Sequence, residues 1–218
     1  MYTQANPENL ALTPRTALDL LKKGNQRFTT GMRSVEPLLS HLKMKELAVN
    51  GQKPFAIVLT CSDSRSPAEM IFDQGLGDLF VVRVAGNVVA PSLLASIEFA
   101  AANFGSCIVV VLGHTLCGAV NATVKHAQQP TKALPSAHLE ELVGRIRPAV
   151  DRTQGHCSLD AHDFIHRATV ENVHHSRRLI LQQSSIVRNL QEAGKLEVVG
   201  ALLDISTGQV EFFEGPQD

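Results

Sequence analysis

Four short, almost unbroken runs of apolar and β-branched residues recur along the chain: 55–60 (FAIVLT), 79–84 (LFVVRV), 107–112 (CIVVVL) and 196–203 (LEVVGALL). A strand that faces solvent on one side alternates apolar with polar residues. Runs that do not alternate are expected in a parallel sheet covered on both faces. Helical patterns lie between them, at 67–72, 92–103, 137–150 and 160–192. Strand and helix in alternation predict a doubly wound α/β sheet. After the fourth run, 204–208 (DISTG) is turn chemistry, and 210–213 reads as a closing strand running antiparallel. The expected architecture is therefore α/β: a mostly parallel central sheet, four parallel strands plus an antiparallel edge strand, flanked by helices. Upstream, 13–31 reads as an amphipathic helix. Thr13 is its N-cap, Pro14 its first residue, and Ala17, Leu18, Leu20, Leu21 and Phe28 its apolar face, with Gly31 at the exit. A second short helix is expected over 39–49. These two form a helical arm over residues 1–50, ahead of a core over 51–218. The stretch 128–135 (QQPTKALP) is expected to be a surface loop.

Composition narrows the partners. A length of 218 residues, 44% of them hydrophobic, is enough for one domain with a sizeable core and short for two. Twenty basic against 21 acidic residues leave a net charge of -1, which argues against nucleic acid or a membrane surface held by bulk electrostatics. The run 107–112 is far below the roughly 18 residues of a membrane span. The opening MYTQANPENLALTPR lacks a basic start followed by an apolar stretch, so a cytoplasmic location is expected. Four cysteines are too few for a disulfide scaffold at this length and are expected as metal ligands, reactive thiols or small core residues.

Two loops directly follow strands: Cys61-Ser62-Asp63-Ser64-Arg65 after FAIVLT, and Gly113-His114-Thr115-Leu116-Cys117-Gly118 after CIVVVL. In open α/β sheets ligands bind outside the carboxyl ends of strands, at a topological switch point. If the two strands are neighbours, both loops open into one crevice. Cys61, His114 and Cys117 then supply two thiolates and an imidazole, a set that suits zinc. The start of the following helix would favour the thiolate of Cys117. Three protein ligands leave a fourth position for water, for Asp63, or for exchange between them. Asp63 and Arg65 alternate with Cys61, and an arginine beside a carboxylate keeps it ionised and oriented. Alone, C-x-D-x-R reads as a buried cysteine with a surface ion pair, and H-x-x-C as two core residues. It is their joint placement after apolar strands that points to a metal. A Cys61–Cys117 disulfide would leave His114, Asp63 and Arg65 unexplained. Elsewhere, Gly75-Leu76-Gly77 precedes a strand and is a turn rather than a phosphate cradle. Cys107 is expected in the core, the group His156, Cys157, His162 and His166 as solvated side chains, and His174 and His175 as solvated or helix-packing.

At these residues the sequence resembles the β-class carbonic anhydrases. The resemblance is carried in order by GNQRF with its following Gly31, CSDSR, FDQGLGDLFVVRVAGN, SIEFAAANFG, VVLGHTLCGAV and VVGALLDISTGQV, and it covers nearly the whole chain. It implies one Zn2+ per subunit held by Cys61, His114 and Cys117, with the catalytic pair Asp63 and Arg65 beside it and Asp63 able to act as fourth ligand in a closed state. It further implies reversible hydration of carbon dioxide to bicarbonate and a proton. The expected assembly is a homodimer, or a tetramer, with the N-terminal helices packing on a partner subunit and the active sites near the interface. Gln52, Phe80, Phe99 and Gly118 match substrate-binding positions: a glutamine that hydrogen-bonds bicarbonate, aromatics lining the carbon dioxide pocket, and a backbone N–H near bicarbonate. Phe99 stands where many members carry tyrosine, and Leu203 replaces a tyrosine before the D-x-S/T-G turn. Val58 stands where bicarbonate-inhibited members have tryptophan, so their inhibitory pocket is expected to be absent. Relatives on this fold hydrolyse carbonyl sulfide or carbon disulfide, and a zinc-stabilised regulatory module is the non-catalytic alternative.

Overall fold

The computed structural model describes residues 12–32, 41–129, 131, 133–154 and 161–213. Its elements follow the predicted alternation. Helices α1 (Pro14–Thr29) and α2 (His41–Asn50) precede strand β1 (Ala56–Thr60). There follow α3 (Ala68–Ile71), β2 (Leu79–Arg83), a short 3-10 turn (Ala85–Asn87), α4 (Pro91–Phe104) and β3 (Ile108–His114). The chain continues through α5 (Gly118–Gln128), α6 (Ala137–Thr153), α7 (Ala161–Gln183) and α8 (Ser185–Glu192) into β4 (Glu197–Leu203) and β5 (Val210–Phe213).

The strands form one sheet in the order β2-β1-β3-β4-β5. The first four are parallel and β5 is antiparallel to β4. Every residue of β1 and β3 is buried, as their unbroken apolar sequences require. Alternate residues serve opposite faces. Val58 and Val110 join Ala17 and Leu21 of α1 in one cluster. Ile57, Leu59, Val109 and Val111 join Ile97 of α4 and Val173 and Ile180 of α7 in the other. From β1 the chain crosses to β2 on one side, then returns to β3 on the other side of β1. The switch point therefore falls between β1 and β3, and both chemistry-bearing loops leave from it.

The motif GNQRF at the end of α1 does more than end a helix. A Cβ on Gly24 would lie 1.7 Å from the carbonyl oxygen of Phe72, so only glycine lets α1 approach α3 there. Buried Asn25 donates to the carbonyls of Ile71 and Gly208 and accepts from the Val210 N–H, tying α1 to β5. Arg27 pairs with Asp73. The predicted 160–192 helix is two helices. Ser184 interrupts it, accepting from the Val187 N–H at 3.1 Å as the N-cap of α8 and donating to Glu98 at 2.6 Å. The second N-terminal helix begins at His41, and Leu39 lies outside the described residues.

Candidate metal centre

Cys61 is the first residue beyond β1, His114 the last of β3, and Cys117 the N-cap of α5. All three are buried, and one donor atom from each lies within 4.8 Å of the others. The adjacency of β1 and β3 brings the first two together. Leu116, at φ 58°, turns the chain back so that Cys117 rejoins them. Left-handed geometry is uncommon in a residue other than glycine, and here it closes the loop around the cluster.

The His114 ring is oriented by its own neighbour. Nδ1 donates to the Thr115 carbonyl at 2.8 Å, which leaves Nε2 as the free lone pair. Nε2 is buried with no hydrogen-bond partner among the described residues. A backbone carbonyl fixing one ring nitrogen while the other faces outward is the usual support of a metal-bound histidine. Burial pushes the imidazole toward its neutral form, and the Cys61 sulfur and Thr115 carbonyl outweigh it and raise its pKa. A metal ion displaces such a proton on binding.

The two thiols divide their protons unequally. The Cys117 thiol donates to Cys61 and, against the opposing effect of burial, brings the Cys61 pKa down to about 4. The Gly86 N–H adds a hydrogen bond to Cys61 Sγ at 3.3 Å. Cys117 keeps its proton: bonding to Cys61 and burial both push its pKa up, and backbone N–H groups at the start of α5 only partly offset them. The contact between the two sulfurs thus lowers the Cys61 pKa and raises that of Cys117. Two soft sulfurs and an unpartnered buried imidazole nitrogen fit zinc.

Asp63 lies beside this cluster, its Oδ2 4.0 Å from His114 Nε2. Arg65 clamps both carboxylate oxygens, Nε to Oδ1 at 3.0 Å and Nη2 to Oδ2 at 2.8 Å, and its backbone N–H donates to Oδ1 at 2.9 Å. The guanidinium holds the Asp63 carboxyl well below the usual carboxylate range. A residue the sequence reading missed supports the loop from below. Arg83, at the end of β2, donates to the carbonyls of Asp63 at 2.7 Å and Cys61 at 3.2 Å. The available signal was a lone arginine ending an otherwise apolar strand, in register with Thr60 just ahead of the loop.

Gly118 opens α5 next to Cys117 and is exposed, so its N–H is among the free donors of a helix start. The other matched substrate positions lie elsewhere on the chain. Phe80 pairs in register with Ile57, four residues before Cys61, hence about 13 Å back along the strand. It packs with Phe99 and Phe104 at the outer edge of the sheet, and Phe99 is half-exposed. Gln52 is exposed in the segment before β1. Cys107 is in the core as expected, and His174 packs on Phe213. His156 and Cys157 lie outside the described residues, as does the side chain of His162; His166 is exposed.

A mostly parallel sheet with a buried Cys-His-Cys group and an Asp–Arg pair at its switch point defines an α/β protein with a metal-capable centre. The family model for carbonic anhydrases matches residues 56–210. Carbonic anhydrase 2 of Mycobacterium tuberculosis is 38% identical over 198 residues, covering 90% of this chain and 91% of that protein. Carbonic anhydrase of Mycolicibacterium smegmatis is 36% identical over 203 residues, covering 91% and 92%. Among solved structures, the β-carbonic anhydrase CafA of Aspergillus fumigatus aligns with a TM-score of 0.70 at 26% identity, covering 94% of this chain and 92% of its own. One of two tetrameric β-carbonic anhydrases from Sordaria macrospora aligns with a TM-score of 0.68 at 25% identity, covering 78% and 84%. The chain belongs to the carbonic anhydrase family, in its β class, and is an enzyme of the lyase type. No described helix is long and apolar enough to cross a membrane.

Proposed function

We propose that this chain hydrates carbon dioxide reversibly to bicarbonate and a proton, with one zinc ion per subunit held by Cys61, His114 and Cys117. The observation that carries this is the clamped Asp63 carboxylate 4.0 Å from the unpartnered Nε2 of His114, since a purely structural metal site has no use for it. The chemistry zinc supplies when bound is Lewis acidity that brings the pKa of water from 15.7 to about 7. Asp63 accepts a hydrogen bond from the attacking water and aims it, and Arg65 holds Asp63 ionised and in place. Arg65 holds the Asp63 carboxylate by both oxygens, which favours the open form of the site by restraining any movement of Asp63 onto the metal. The N–H of Gly118 and the amide of Gln52 stabilise charge that develops on the substrate oxygens. The free thiols this requires fit a reducing cytoplasm.

The substrate pocket is completed in our reading by a second subunit, which brings Gln52, Phe80 and Phe99 to the metal. Within one chain Phe80 is too far back along β2. That strand has β1 as its only partner among the described residues, and α2 buries none of its residues, leaving Leu42 77% and Val49 85% exposed. Exposed apolar surface of this kind marks an interface. Light scattering on the eluting protein is expected to give the mass of a dimer or tetramer of the 23.6 kDa chain; a monomer that is fully active would exclude a shared pocket.

Stopped-flow carbon dioxide hydration between about pH 6.5 and 9, on protein assayed for zinc, tests the activity. A rapid rate with one titration near 7 is expected. Activity appearing only at alkaline pH would mean that Asp63 closes the site, and no activity with zinc fully bound would move the assignment to a sulfur analogue or a non-catalytic role.

A further inference from the structure

The Gly86 N–H that reaches Cys61 Sγ at 3.3 Å leaves from an unusual turn. Gly86 has φ 70° and Asn87 has φ 43°, two successive left-handed residues of which the second is not glycine. Such a conformation persists only where its surroundings over-determine it. Here the restraint comes from α7. Asn172 donates Nδ2 to the Gly86 carbonyl at 2.8 Å, and Ser176, one helical turn later, donates Oγ to the Asn87 carbonyl at 3.0 Å. Both side chains are buried, Asn172 at 0% exposure and Ser176 at 1%. The next residue, Val173, seats α7 on the sheet: a Cβ on Gly113 of β3 would come within 2.5 Å of it. The helix therefore cannot slide, and Asn172 meets the turn at a fixed height.

An asparagine at full burial is costly unless hydrogen-bonded, and Asn172 has no partner for its Oδ1 among the described residues. Packing alone would favour an apolar residue there. The bond it makes holds the Gly86–Asn87 peptide, which is joined through the Gly86 Cα to the peptide whose N–H reaches Cys61. The geometry points to Asn172 as a positioning residue of the metal centre: by holding the Gly86–Asn87 peptide it keeps Gly86 in its left-handed conformation, which aims the N–H of the preceding peptide at Cys61 Sγ and so sets how strongly that sulfur donates to a bound ion. An N–H directed at a ligating sulfur withdraws electron density from it, and outer partners of this kind typically change metal affinity 10–100-fold. The proposal rests on Cys61 being a metal ligand.

Cobalt(II) loaded into the full chain in place of zinc provides the readout, because thiolate ligation gives a sulfur-to-cobalt charge-transfer band. If the unaltered protein shows no such band, the ligand assignment itself fails. With the band present, Asn172→Ala is expected to shift it to longer wavelength, since sulfur freed of its N–H gives up an electron more readily. Cobalt affinity, measured by chelator competition, should fall about tenfold, because the loss of orientation at the sulfur outweighs its stronger donation. Ser176→Ala loosens the same turn at Asn87 but leaves the Gly86 carbonyl held, so it should melt earlier with the band unmoved. A band and affinity unchanged in Asn172→Ala, or moved equally by Ser176→Ala, would overturn the assignment. Should Asn172→Ala not fold, Asn172→Leu fills the same volume, presents no donor to the Gly86 carbonyl, and carries the same expectations.

Discussion

Cys61→Ala is expected to leave the protein with almost no zinc after dialysis against a chelator, and to lower carbon dioxide hydration by more than about a thousandfold. Three protein ligands are the fewest that hold a catalytic zinc, and this substitution removes one of the two sulfurs. What remains is one buried sulfur and an imidazole whose lone pair has no partner, two protein ligands where a catalytic zinc takes three. The loss should be specific to metal. Cys61 contributes a single sulfur to a cluster built mainly of Val88, Val120, Val124, Ile146 and Val150, so the metal-free variant should unfold within about 1–2 kcal/mol of the metal-free parent. Emission spectrometry for zinc, with denaturant unfolding of both metal-free proteins, separates the two effects. Stoichiometric zinc in the variant would contradict the ligand assignment, and a variant that cannot fold without metal would make the centre structural.

The contrast between Cys61 and Asn172 also shows what a sequence makes legible. The strands could be read because burial on both faces leaves unbroken apolar runs. The ligand set could be read because each member sits immediately after such a run, so strand adjacency alone brings Cys61 and His114 together. The groups supporting the ligands carry no comparable mark. Arg83 acts on carbonyls 20 and 22 residues away, and Asn172 on one 86 residues away. A carbonyl is present at every position, so its selection appears only once the chain is folded. The break at Ser184 escaped for a related reason: apolar periodicity runs through it, and the serine stops the helix by capping the next one.

Asp63→Asn should separate chemistry from metal binding in the opposite sense, retaining one zinc per subunit while losing about 10²–10⁴-fold in kcat. Asparagine preserves the shape of aspartate, but its amide offers one acceptor where Arg65 now meets two anionic oxygens. Either the amide nitrogen turns toward the guanidinium, donor against donor, or it turns toward the water, which then has no acceptor for its proton. The pH dependence sharpens the assignment. The Asp63 pKa is depressed in the folded protein, so the carboxylate's contribution to stability is fully present above the ordinary value of 3.8 and is lost only as pH falls through the depressed one. Across pH 6.5 to 9 Asp63 is therefore always ionised, and the titration expected near 7 does not belong to it. The asparagine variant should accordingly show a lower plateau whose midpoint, relieved of a nearby negative charge, lies no higher than the parent's, and its stability at neutral pH should change little because Arg65 is half-exposed. Near-normal turnover would remove Asp63 from the mechanism. Loss of the titration altogether would instead mean that Asp63 itself titrates in the working range, as it would if it left Arg65 to close the metal site.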